Sequence, residues 1–262
     1  MIVDSTDTTH LVDELRKEMS RLLKKQDLIK AELTKKYKHS KSVKLKTHQT
    51  KWKNPDTNTI WVFGSLFEKQ NSNITVITYP ITQFNDKEGG KDRNKYLLFA
   101  IDKFKYEPKF EEYLVKIFDG HFIKRFIERN DTPGLSPYQV ILSLPLYDET
   151  RLVEHFSQNE KWYLYLHKYG IAMIKNEPPI LYFDTYITLS QLKEAQKTAI
   201  KEHLEKSKSV NPMNYLMLLH ELRSNPEWES DYFPKESIEY AIKNLDDAEL
   251  EVLKSFYESI NE

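Results

Sequence analysis

The chain has no cysteine, which removes disulfides, thiol nucleophiles and thiolate-bound zinc or iron–sulfur clusters. Glycine is scarce as well. Six occur in 262 residues, and none has the spacing of a dinucleotide fingerprint or a phosphate loop. The longest apolar run, Tyr96 to Ile101, is far short of the roughly 18 residues a membrane span needs. Met1 to Asp7 offers neither a basic segment nor an apolar one, so a secretory leader is not expected. With no membrane partner indicated, the expected compartment is the cytoplasm. Charge of one overall sign is missing too, because net charge is only −1.

The charge that is there is unevenly placed. From Lys35 to Lys53 there are eight lysines and no acidic residue, whereas Glu221 to Glu262 holds twelve acidic residues against four basic ones. Lys44, Lys46, Lys51 and Trp52 in the basic stretch are of the types that follow a phosphate backbone and stack on bases. They are the candidate nucleic-acid contacts, with RNA the candidate partner. The alternative is a solvated basic segment that the acidic end partly neutralises.

Hydrophobic spacing divides the chain into 1–42, 43–206 and 207–262. Residues 8 to 37 read as one helix, with Val12, Leu15, Met19, Leu22, Gln26, Ile29 and Leu33 at alternating steps of three and four. That is a heptad seam with one polar a position. Residues 9–36 therefore offer a surface either for a second copy of the chain or for the chain's own helices. From Val43 to about Phe104 the period falls to two, interrupted by turn signals such as Asn54-Pro55-Asp56, and an antiparallel meander is expected. A helix is predicted over 108–128. A second strand group follows over 162–188, with a turn at Lys168-Tyr169-Gly170. Helices are predicted at about 190–206, 212–223, 235–244 and 246–260, punctuated by Pro212, Pro226 and Pro234. The expected class is α+β: a long amino-terminal helix, antiparallel strands flanking a His/Arg helix, and a helical carboxyl-terminal part.

That His/Arg helix is the chemical candidate. His121, Arg125 and Arg129 stand at i, i+4 and i+8 and share one stripe. On a wheel started at Phe118, the stripe falls inside the apolar arc of Leu114, Val115, Phe118, Phe122 and Phe126, while Lys116 points elsewhere. Buried arginines need an anionic partner. It can be a protein carboxylate, such as Asp184 or one from 221–262, or it can be a bound phosphate gripped by two guanidiniums beside a proton-transferring histidine. No metal site is expected, because Asp119 and His121 diverge on a helix and no His-Glu-x-x-His pair occurs.

The pattern H-x-x-x-R-x-x-x-R on a helix, followed by small strands up to Thr188, resembles the barnase/EndoU/RelE-like superfamily of metal-independent ribonucleases and toxins. The chain departs from that pattern at Phe122, where alanine is common, and at Asn130, where glycine is common. The resemblance implies a hydroxyl residue in a late strand, for which Thr185 is the candidate and Tyr186 its neighbour. It implies RNA cleavage without a cofactor. His121 would take the ribose 2′-hydroxyl proton, and Arg125 and Arg129 would stabilise the phosphorane. Thr185 or Tyr186 would hydrogen-bond the phosphate, and His167 would protonate the leaving oxygen. The competing expectation is a non-catalytic oligomeric scaffold, with the heptad helix and the acidic helices as its surfaces and the stripe as an internal salt-bridge network.

Overall fold

The computed structural model describes residues 8–37, 48–70, 73–88, 91–101, 113–130, 132–144, 151–157, 160–177, 180–228 and 230–261. Within them, seven α-helices and nine mostly antiparallel strands make an α+β protein. The chain forms two compact units, residues 1–146 with 175–185 and residues 147–174 with 186–262. The division at 42 and 206 read from hydrophobic spacing does not coincide with these units. Residue 206 lies within a continuous helix, Glu194–Val210. None of the helices among the described residues is long and apolar enough to cross a membrane.

The first unit is built on β1 (His48–Lys53), β2 (Ile60–Gln70), β3 (Asn73–Glu88), β4 (Lys91–Ile101) and β5 (Tyr113–Asp119). Each pairs antiparallel with the next, and for β2 to β4 this is the meander that the alternation predicts. Helix α1 (Thr8–Tyr37) lies across one face of this sheet, against β3. Its seam residues Leu15, Leu22, Ile29 and Leu33 pack with Trp61, Phe63, Val76 and Leu97. The seam meets the chain's own sheet, where the heptad spacing suggests a second copy or the chain's own helices.

Polar seam residues set the register of that packing. The buried Gln26 donates from Nε2 to the Thr78 carbonyl at 2.5 Å. Glu18 is also buried, and its two carboxylate oxygens accept from Thr59 Oγ1 at 2.6 Å and from Trp61 Nε1 at 2.5 Å. Removing this carboxylate strands two buried donors, a loss of about 2–4 kcal/mol. Glu18→Ala is therefore expected to lower the chemical denaturation midpoint, with Glu18→Gln in between because its carbonyl oxygen can still accept one bond.

The helix predicted over 108–128 is corrected by the structure. Residues 108–112 lie outside the described residues, 113–119 are strand β5, and helix α2 covers only Gly120–Arg129. Tyr113-Leu114-Val115-Lys116-Ile117-Phe118 is rich in aromatic and β-branched residues, and apolar on both faces it fits a central strand as well as a helix. β4 on one side and β9 (Ile180–Ile187), running parallel on the other, supply the pairing that decides it. α3 (Pro137–Ser143), which hydrophobic spacing does not reveal, begins with a capping box between Ser136 and Gln139. α3 sits directly on β2: a Cβ at Gly64 would lie 2.5 Å from Leu142 Cδ1.

The second unit carries β6 (Leu152–Ser157), β7 (Glu160–His167) and β8 (Gly170–Glu177), whose last residues belong to the first unit. Helices α4 (Glu194–Val210), α5 (Pro212–Leu222), α6 (Lys235–Lys243) and α7 (Asp247–Asn261) follow, close to the predicted spans. Val153, Leu164, Leu166 and Ile171 from the strands meet Ile200, Leu204, Tyr215, Leu219 and Trp228 in one core.

Lys116, read as pointing away from the apolar arc of a helix, is a buried residue of a strand. On β5 it is 2% exposed, with Nζ 5.5 Å from the centre of the Phe183 ring. Burial pushes its pKa down from 10.5 to about 7. Between those values the unfolded chain binds the proton and the folded chain does not, so this residue makes stability rise with pH from about 7 to 10.5. Below pH 7 the folded protein carries the full cost of charging it, of order 3–5 kcal/mol. Lys116→Met is expected to be more stable than wild type at neutral pH, with the gap closing as pH approaches 10. Urea denaturation of both proteins at pH 7 and 9.5 checks this, and a gap that does not narrow contradicts it.

Candidate functional site

Three local features start α2 where β5 ends. Asp119 adopts an extended backbone and accepts the His121 N–H on Oδ1 at 2.7 Å, the bond of a helix N-cap. Gly120 follows, and a Cβ there would lie 2.7 Å from the Asn94 carbonyl oxygen of β4. Phe118, paired in register with Phe183 of β9, stacks on it at 4.4 Å, and Phe122 meets the same ring edge-on at 5.6 Å. Phe122, Ile123 and Phe126 thus hold the buried side of α2, and His121 is placed at the first exposed position.

Beside α2 lies an open cleft of about 860 Å³ lined by Asn94, Tyr96, Asp119, His121, Lys124 and Glu128, with Asp184 of β9 and Pro137 at its edge. Tyr96 packs edge-on against Tyr138 at 6.0 Å. Burial raises the pKa of both hydroxyls above the usual tyrosine value, so Tyr96 remains a neutral hydrogen-bonding group. Lys124 and Glu128 pair along the helix at 3.7 Å.

The His/Arg stripe exists on α2, but its surroundings differ from the wheel started at Phe118, since that residue is in a strand. Stepping about 100° per residue from His121, Arg125 and Arg129 fall about 40° and 80° to one side. Glu128, Lys124 and Ile127 fall about 20°, 60° and 120° to the other, which is the cleft side. His121 is therefore the crest between an acidic cleft and a basic flank. The two arginines are half-buried and do not line the cleft. Arg125 Nε donates to His121 Nε2 at 3.3 Å. A guanidinium has no acceptor, so this contact requires the ring to present its Nε2 lone pair.

Thr185 is half-buried on β9, beside Asp184, and it is Asp184 that reaches the cleft. His167 is not among the residues that line the cleft. It belongs to the second unit, is 8% exposed, and its Nδ1 lies 3.0 Å from the Tyr186 hydroxyl. Burial pushes its pKa down from 6.5 to about 4; Arg151 and Lys168 add to the lowering, and Glu221 opposes it. At neutral pH burial therefore favours the uncharged ring. Tyr186 is fully buried in the same contact. Glu221 of α5, from the acidic end, forms its ion pair with Arg151.

Among the basic candidates, Lys44 and Lys46 lie outside the described residues. Lys51 is exposed on β1, whereas Trp52 is turned against Phe63 at 6.2 Å and packs on the first core, so its ring is not a free stacking surface. The sequence pattern did not single out Asn94 or Tyr96, because only the pairing of β4 with β5 brings them beside α2. Asp119 had a usable signal, an Asp-Gly pair just before an amphipathic run. Among the described residues no group of three His, Asp or Glu side chains stands close enough to hold a metal ion. Compared with protein-family models, with curated proteins and with solved structures, the chain matches none.

Loss of the cap should be measurable apart from any activity. Asp119→Ala is expected to cost about 0.5–2 kcal/mol, and Asp119→Ser to recover most of it. Equal stability of all three proteins in thermal denaturation contradicts the capping role. His167 sets a second expectation. The unfolded chain protonates at 6.5 and the folded one only near 4, so its contribution is complete above pH 6.5 and declines as pH falls toward 4. His167→Gln should flatten the acid limb of the stability profile.

Proposed function

We propose that α2 carries a metal-independent RNA-cleaving centre, with His121 as general base and Arg125 and Arg129 as phosphate ligands. The observation that carries this reading is the Arg125–His121 contact at the crest of α2. It sets a ring nitrogen that presents its lone pair against a permanent cation, beside a cleft large enough for a nucleoside, and substrate has to displace the arginine N–H before that nitrogen takes a proton. The phosphodiester lies on the arginine flank, where guanidiniums bind it through paired N–H groups. The cleft, with Asp119, Glu128 and Asp184 on its wall, repels phosphate and takes the uncharged sugar and base.

The chemistry follows from those positions. His121 removes the 2′-hydroxyl proton, the 2′-oxygen attacks phosphorus, and the 5′-oxygen leaves with a 2′,3′-cyclic phosphate behind. The arginines stabilise the charge that builds on the phosphorane oxygens. Thr185 is the hydroxyl candidate for a phosphate contact, and water supplies the proton to the leaving group in place of His167. DNA is inert because it lacks the attacking hydroxyl. The scaffold reading is less favoured, because the α1 seam it relies on is buried against the chain's own sheet.

The test is incubation of total RNA with wild type, His121→Ala, Arg125→Ala and Arg129→Ala in excess EDTA, with the 3′ ends mapped. Wild type is expected to leave cyclic-phosphate ends, and each substitution to lower the rate by about 10²-fold or more. Arg125→Lys should recover only part, since an ammonium lacks the planar fork. Intact RNA with folded wild-type protein, or cleavage that survives His121→Ala, overturns the proposal.

A further inference from the structure

The floor of the α2 cleft carries a hydroxyl that the protein itself does not use. Asn94 and Tyr96 are two residues apart on β4 and so share one face of the sheet. Tyr96 stands directly opposite Phe118 of β5, whose ring meets Phe122 of α2 at 5.8 Å, so that face is the one α2 covers. The Tyr96 ring is fixed edge-on against Tyr138, in the first turn of α3. Tyr96 is only 8% exposed, yet its hydroxyl bonds to no described residue. A buried polar group is normally hydrogen-bonded. This one lines the cleft instead.

The other polar groups of the cleft define what that hydroxyl would share. Asp119 uses Oδ1 for the His121 N–H, which leaves Oδ2 as an acceptor. Glu128 adds a second carboxylate, paired with Lys124 along the helix. Asn94 accepts from Gln83 Nε2 on Oδ1 at 3.1 Å, which leaves its NH2 group as a donor. Ionised carboxylates only accept, so a ring carbonyl brought against them sets lone pairs against lone pairs, whereas an amino group donates to them. The neutral Tyr96 hydroxyl and the Asn94 amide can then donate to the ring nitrogen or carbonyl beside that amine. Resting on the reading of this cleft as the place of the nucleoside, we propose that it selects nucleobases bearing an exocyclic amino group, adenine, cytosine or guanine, over uracil, with Tyr96 as the specificity-determining residue.

The probes are nucleosides matched except for an amine replaced by a carbonyl: cytidine against uridine, and adenosine against inosine. They contain no phosphodiester, so NMR titration of the full-length protein reads binding apart from any cleavage. The amino member of each pair is expected to bind at least about tenfold more tightly. Tyr96→Phe should weaken cytidine and adenosine by about tenfold. Its thermal denaturation midpoint should not fall, because the hydroxyl has no bond within the protein to lose. Equal affinity within both pairs, no binding of any nucleoside, or unchanged affinity in Tyr96→Phe overturns the proposal. So does a lower midpoint for Tyr96→Phe, since the hydroxyl is then structural. RNA cleavage by the same samples is scored separately. Cleavage without nucleoside selection keeps the α2 centre and overturns this pocket, whereas selection without cleavage supports the pocket and overturns the catalytic reading.

Discussion

The end of β5 is the point on which the first unit's chemistry depends. A strand clamped between an antiparallel and a parallel neighbour cannot shift register without disrupting both hydrogen-bond ladders. Its last residue, Asp119, caps the helix that follows, and the next, Gly120, passes so close to the Asn94 carbonyl that any side chain would collide. The direction of α2 is thereby set by backbone contacts rather than by surface side chains. The Phe118–Phe183–Phe122 cluster then fixes its rotation. His121 stands at the crest because the buried side of α2 is already committed.

Buried polar groups recur at the same structural level, and each is handled differently. Glu18 keeps its place by satisfying both oxygens with neutral donors from the sheet. Gln26 is tied through its amide to the Thr78 carbonyl of β3. Lys116 and His167 are accommodated by a shift in proton affinity, so that burial favours their neutral forms. The first two set which face of α1 meets the sheet. The last two link stability to pH in separate windows, one alkaline and one acid.

On α2, opposite charges are sorted to opposite flanks of a single helix. The cleft side carries Glu128 and Lys124 as a pair, with Asp119 and Asp184 on its wall. The other side carries Arg125 and Arg129. This separation is the arrangement on which the proposed phosphodiester reading rests.

The α+β class, α1, the meander strands β2 to β4, the strands β7 to β9 and the four late helices were all legible in the sequence, because periods of 3.6 and 2 are local properties of the chain; the first meander strand was read at Val43 to Lys46, outside the described residues, and not at β1. So was the stripe of His121, Arg125 and Arg129. Three things were not. Residues 113–119 are apolar on both faces, and only their pairing with β4 and β9 decides strand over helix. The heptad seam of α1 carries no record of whether a second chain or the chain's own sheet fills it. The cleft at α2 unites Asn94, Tyr96, His121 and Asp184, residues far apart in sequence that meet only through strand order. Spacing along one element determines which side chains share a face; what that face meets is decided by tertiary packing, because burial and charge neighbours come from segments distant in the chain.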